Sequence, residues 1–173
     1  MIERIKVSAN FYLDEFVDPY TFFNDSDHGL ARLDKRIIDL AQEMRNDLGH
    51  SLRINNWWRY YKENSTLSHA RLIRYIERSS FSKWSGYRSS RCTIGSRRSA
   101  HRTGQAIDPK GVEDIMFDIV KSKARVYYNL GLRRLEDPSI TNGWLHMDTL
   151  ERNTVPNSIR VVDLRKATQI IRF

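Results

Sequence analysis

Ser99-Ala100-His101-Arg102-Thr103-Gly104-Gln105-Ala106-Ile107-Asp108 is the stretch around which the rest of the chain is read. It sets an imidazole and a carboxylate seven residues apart, with Gly104 between them to allow a tight path. Gln105-Ala106-Ile107-Asp108 reads as a short buried strand stopped by Pro109, which has no N–H for a ladder. Downstream, Trp144-Leu145-His146-Met147-Asp148 alternates in polarity. On a strand of period two, Trp144, His146 and Asp148 share one face, and Leu145 and Met147 the other. His101, Asp108 and His146 together make a suitable ligand set for a catalytic zinc, with the fourth position left for water. Spacing alone is also compatible with packed or solvated histidines, since the chain holds five.

Working outward, Leu30, Leu33, Ile37, Ile38, Ala41, Met44 and Leu48 fall at helical spacing. The pattern predicts one amphipathic helix over 29–48, with caps at Asp25-Ser26-Asp27 and a stop at Gly49. Leu52-Arg53-Ile54-Asn55 reads as a strand that ends in a loop at Asn56-Trp57-Trp58-Arg59. A short helix is expected over Ser68–Arg78 and a second long one over about 111–129, closed by Asn129-Leu130-Gly131. Between them lies a Ser-, Gly- and Arg-rich loop. Leu132–Glu136 and Trp144–Leu150 read as strands around the turn 137–143, and Ile159–Phe173 as one or two more. The aromatic stretch Asn10–Phe16 is expected at a domain edge. No repeat or linker interrupts this order, so one α+β domain over 1–173 is the economical reading.

Composition narrows the class. The chain has 173 residues and 40% hydrophobic residues, with four Trp, eight Tyr and seven Phe, too apolar for a disordered tail. Cys92 stands alone, which excludes an internal disulfide and any multi-cysteine metal site; it reads as a small loop residue rather than a nucleophile. No apolar run approaches the roughly 18 residues needed to span a bilayer, and Met1-Ile2-Glu3-Arg4 opens no signal peptide. A soluble protein made in the cytoplasm is expected.

The net charge of +8 is concentrated. Arg71, Arg74, Arg78, Lys83, Arg88, Arg91, Arg97, Arg98 and Arg102 lie between Ser65 and Ile107, where the only acid is Glu77. That segment should attract an anionic polymer, either nucleic acid or an anionic cell wall.

The Ser99–Asp108 segment matches the S-x-H-x-x-G-x-A-x-D signature of the zinc D-Ala-D-Ala carboxypeptidase and L-alanyl-D-glutamate endopeptidase family. Trp144–Asp148 resembles that family's closing strand. Asn10-Phe11-Tyr12-Leu13-Asp14-Glu15-Phe16 resembles the opening of its small phage-type branch, and Ile54–Arg59 the strand and turn before the signature. The resemblance covers roughly residues 10–150. It implies an α+β fold in which a small antiparallel sheet carries the metal site between flanking helices (Hedgehog/D-Ala-D-Ala-peptidase-like). It carries over His101, Asp108 and His146 as ligands of Zn2+.

Many relatives place an acid three residues before the last His as general base; here Gly143 stands there, after Asn142. Glu136 is taken as the base in its place, ahead of Asp148, whose simpler role is to support His146. Glu136 has a rival role as a surface partner for Arg133 or Arg134. Arg59 and Arg88 compete to clamp a substrate carboxylate: Arg59 by its order in the chain, which is slightly preferred, and Arg88 by the string Ser85-Gly86-Tyr87-Arg88-Ser89.

The activity implied is hydrolysis of stem-peptide or cross-link amides in peptidoglycan by a phage-encoded endolysin or a peptidase carried on a virion, where virion proteins would be partners. The basic segment would form the rim of the active site. The alternative is an impaired relative serving as a structural or wall-binding module of a phage particle. Nucleic-acid binding through the arginines with Tyr75, Trp84 and Tyr87 ranks last, because it leaves the ordered His/Asp/His pattern unexplained.

Overall fold

The computed structural model describes residues 2–79, 84–151, 155–163 and 168–173. Seven helices are described: α1 (Pro19–Asn24), α2 (Ser26–Arg32), α3 (Lys35–Leu48), α4 (Trp57–Glu63), α5 (His69–Arg78), α6 (Glu113–Ser122) and α7 (Ala124–Asn129). The strands are β1 (Ala106–Ile107), β2 (Arg134–Glu136), β3 (Met147–Asp148), β4 (Ser158–Val162) and β5 (Gln169–Arg172), in the sheet order β1-β3-β2-β4-β5. No described helix is long and apolar enough to cross a membrane.

The part of the sheet that holds the site is antiparallel, as expected. Ile107 and Leu135 both register with Met147, while Ala106 and Arg134 register with Asp148. The whole sheet is mixed, however, because β2 pairs with β4 in parallel. Both edges of β3 are already bonded, so the next strand adds at the free edge of β2 and runs in its direction. β4 and β5 fall where two C-terminal strands were expected; Leu164–Ala167 lies outside the described residues.

Several expectations are corrected by tertiary contacts. The helix predicted over 29–48 breaks at Leu33-Asp34 into α2 and α3. There Asp34 caps α3 by accepting from Arg36 N–H, donates its own N–H to Gly104 O at 3.0 Å, and accepts from Thr149 Oγ1 at 2.8 Å. The break is thus where the Ser99–Asp108 segment and the end of β3 are tied down. The helix predicted over 111–129 breaks at Lys123, and Lys123 Nζ and Tyr127 Oη both reach Asp47 of α3, at 2.6 and 2.9 Å.

The strand predicted at Leu52–Asn55 is reduced to a bridge between Arg53 and Lys110, and the loop after it is instead α4. Trp57, Trp58 and Tyr61 sit on one side of that helix against Phe22 and Phe23, a helical spacing of aromatics.

Asn10–Phe16 lies in the core rather than at an edge: Phe11, Leu13 and Phe16 are fully buried. They join a single hydrophobic cluster that runs through Ile37, Met44, Trp57, Leu72, Ile107, Tyr127, Leu135 and Met147 to Ile159. Gly86 meets this segment so closely that a Cβ there would stand 2.1 Å from Phe16 O. Ser85–Arg88 consequently runs between the N-terminal segment and the Ser99–Asp108 segment, a position that decides the geometry of the site.

Candidate metal centre

Ser85–Arg88 acts as a backbone frame. Tyr87 N–H donates to Phe16 O at 2.7 Å, fastening the frame to the core. Ser85 O accepts from Asp108 N–H at 2.7 Å, and Arg88 N–H donates to His101 O at 3.0 Å. Gly86 O stands 2.8 Å from His101 Nδ1. A carbonyl only accepts, so Nδ1 carries the proton and the Nε2 lone pair points away from the frame.

On the other side, β3 delivers His146. Leu145 and Met147 are buried in the core, while Trp144 and His146 line a cleft, as the alternation predicts. Behind His146, Asp148 Oδ2 lies 3.2 Å from its Nε2 and accepts from Arg134 Nε at 2.7 Å. Arg134 Nη2 stands 2.8 Å from the same Nε2, so that nitrogen is bracketed by a guanidinium and by Asp148, while Nδ1 faces His101 and Asp108.

The three donor atoms form a compact triangle. His101 Nε2 is 3.2 Å from His146 Nδ1 and 3.2 Å from Asp108 Oδ1, and His146 Nδ1 is 2.9 Å from Asp108 Oδ1. Donors about 2.0–2.1 Å from a tetrahedral ion stand about 3.3 Å from one another. The residues present therefore fit a metal ion, and this buried His/Asp/His group could hold one.

Electrostatics favours the ligand forms unevenly. Burial by itself would raise the Asp108 carboxyl, but the charges and hydrogen bonds of His101 and His146 outweigh it and hold it far below the usual carboxylate range. For His146, burial opposes the charged form, yet its hydrogen bonds to Asp108 and Asp148 prevail and push its pKa up to about 9. Asp148 is likewise held low, by His146 and Arg134 acting against its burial.

The triangle forms the floor of a cavity of about 530 Å3. Glu136 lines this cavity, half-buried, with Arg134 Nη2 3.7 Å from its Oε1. Asp148 sits beneath His146 and is engaged by it and by Arg134, which leaves Glu136 as the cleft carboxylate that holds no donor of the triangle. Gly143 takes a positive φ of 84°, and its carbonyl accepts from Gly111 N–H, so the turn itself asks for glycine at that position.

Arg88 lines the cavity and gives Nη2 to Asp108 Oδ2 at 3.1 Å. Arg59 does not reach it. It stands on α4, 85% exposed, paired with Glu63 Oε1 at 3.0 Å, because what was read as the loop after a strand is a helix.

The basic segment also divides differently from the rim expected. Of its described cations only Arg88 lines the cleft; Lys110 and Arg134, from outside the segment, supply the others. Arg102 turns inward to Ser89 O and Cys92 O, Arg91 pairs with Glu77, and Arg71, Arg74 and Arg78 are exposed on α5. Lys83 lies outside the described residues. Among the aromatics proposed for nucleic acid, Tyr87 is buried, Trp84 lines the same cleft and Tyr75 is exposed on α5. Cys92 is buried, with Sγ directed to Ile94 O.

Sequence reasoning missed the Gly86 carbonyl that orients His101, Arg134 as the partner of Asp148, and Lys110, while the support of His146 by Asp148 was expected. For the first, the signal was the Ser-Gly-Tyr-Arg string; for the second, the shared face of His146 and Asp148. No protein-family model, no curated protein and no solved structure matches the chain.

Proposed function

We propose that this protein is a zinc-dependent peptidase that cleaves stem-peptide or cross-link amides of peptidoglycan. One observation carries the reading: a buried His101–Asp108–His146 donor triangle floors an open cleft whose wall holds a further carboxylate, Glu136. The Ser99–Asp108 signature supplies the substrate class by resemblance. Two imidazoles and one carboxylate suit zinc among the common metals.

A zinc ion held by these three residues supplies Lewis acidity toward a scissile carbonyl and makes a water molecule easier to deprotonate. Glu136 accepts the proton of the attacking water at its carboxylate and passes it to the leaving amine. Arg134 stands between Glu136 and Asp148, so it holds the base on the β2 side of the cleft. Arg88 works as a positioning residue, fixing Asp108 by one oxygen so that the other faces both imidazoles. Action at the cell wall, after phage lysis or from a virion, belongs to the same reading.

The test is mass spectrometry of purified peptidoglycan digested with zinc-loaded protein and with His146→Ala. New amine and carboxylate termini that disappear with the variant are expected. Products unchanged in His146→Ala would overturn the zinc assignment. Near-stoichiometric zinc with uncut peptidoglycan would overturn the enzyme and leave a wall-binding or structural module, a reading favoured by the glycine at position 143.

A further inference from the structure

We propose that Lys110 anchors a carboxylate of the substrate in the cleft, with the face of Trp144 beside it, so that the site selects peptides bearing a free carboxylate over their carboxamides. The proposal rests on the peptidase reading and gives it a specificity residue.

Three cations line the cleft, and two of them are taken. Arg88 gives Nη2 to Asp108 and Nε to Trp84 O at 2.7 Å, which fixes its guanidinium on the floor. Arg134 gives Nε to Asp148 and stands near Glu136. Lys110 differs. Among the described residues no carboxylate oxygen lies within 4.0 Å of its Nζ, which instead stands 4.7 Å from the centre of the Trp144 ring.

Its backbone is held from both sides, by a bridge to Arg53 that includes Lys110 N–H to Arg53 O at 2.8 Å, and by a bridge to Trp144. A half-buried ammonium on a fixed main chain, facing a cavity with no carboxylate in direct contact, is arranged to receive one.

The charge balance around it points the same way. The cations Arg88, Lys110 and Arg134 are matched by the carboxylates Asp108, Glu136 and Asp148, so a divalent ion on the floor leaves the site positive toward its substrate. Trp144 offers an apolar face next to the ammonium, which suits a carboxylate carried on a short aliphatic stem, as in an acidic amino acid or a chain terminus. Arg59, the other residue that could have taken this role, lies outside the cleft.

The probe is the tetrapeptide L-Ala-γ-D-Glu-L-Lys-D-Ala as free acid, as the D-isoglutamine amide and as the C-terminal amide. Binding is read by calorimetry on zinc-loaded protein carrying Glu136→Gln to prevent turnover, with and without Lys110→Gln or Lys110→Arg, zinc content being measured each time. Lys110→Gln should weaken the free acid at least tenfold while zinc content and the binding of one of the two amides stay unchanged; that amide identifies the carboxylate held. Lys110→Arg should stay within about threefold of the parent.

Equal affinity of parent and Lys110→Gln for the free acid, equal weakening of acid and both amides, or no binding of any form by the parent would each overturn the proposal. With Glu136 intact, Lys110→Gln should raise KM and change kcat less than about threefold. Carboxylate-selective binding through Lys110 without cleavage would overturn the peptidase reading alone. Cleavage with KM indifferent to Lys110→Gln would overturn the Lys110 role alone.

Discussion

Asp108 uses its two oxygens for different tasks: Oδ1 faces His101 and His146, while Oδ2 is held by Arg88. The same division recurs in His146, whose Nδ1 faces the triangle and whose Nε2 is bracketed by Arg134 and Asp148. Without metal, His146 keeps its proton up to about pH 9, a raised value that stabilises the folded state below the ordinary histidine range and is lost as pH rises through about 9. Ligation of zinc must displace that proton. Apparent zinc affinity should therefore rise with pH, falling about tenfold for each unit below 9, as read by competition with a chelator between pH 6 and 9. Glu136→Gln should keep near-stoichiometric zinc and lower kcat about 100- to 10,000-fold; an unchanged rate would remove Glu136 from the chemistry. The three donors were legible because a strand's alternation is local. The misplacement of Arg59 came from taking the aromatic Trp57-Trp58 pair for a loop when its spacing to Tyr61 is helical.

Among the elements, helices were easier to place than their interruptions. Periodicity marks which residues of 29–48 face the core, and the burial of Ile37, Ile38, Ala41 and Met44 follows it. Nothing in that window shows the break at Asp34, because the groups that stabilise it, Gly104 O and Thr149 Oγ1, lie far along the chain. The same contact makes a sharp prediction. Gly104 has φ +68°, and a Cβ there would stand 1.9 Å from Arg32 O. Gly104→Ala should cost about 3 kcal/mol or more in urea unfolding, since backbone has to move. Gly49→Ala, at φ +70° with no atom near its Cβ, should cost only about 1 kcal/mol. Similar costs would mean that the α2–α3 break and the metal segment are not in rigid contact. The mixed sheet escaped the sequence for a related reason: strands of two to five residues carry too short a pattern to fix which edge a neighbour takes.

For the molecule as a whole, the donor triangle joins segments 38 and 45 residues apart, so a bound ion cross-links the Ser99–Asp108 segment to β3. Zinc free at a thousand times its Kd should add about 4 kcal/mol of stability. For a chain of this length that is a rise of roughly 10 °C in Tm by calorimetry, absent in Asp108→Asn. Charge is distributed otherwise than its sequence order implied: Arg102 is turned inward to carbonyls, Arg71, Arg74 and Arg78 lie on the exposed face of α5, and the cleft draws its cations from three separate stretches.

The frame at Ser85–Arg88 has a consequence for change. His101 and Asp108 are located by main-chain carbonyls and amides, which survive substitution of their own side chains. The upper wall is different: exposed Ile94 and half-buried Trp84 and Trp144 line the cleft, and none of the three is a donor of the triangle. Floor and wall are therefore separable inheritances. A lineage or an engineer can redraw what the cleft accepts, residue by residue at the wall, while the machinery below stays fixed by atoms that no substitution at the wall removes.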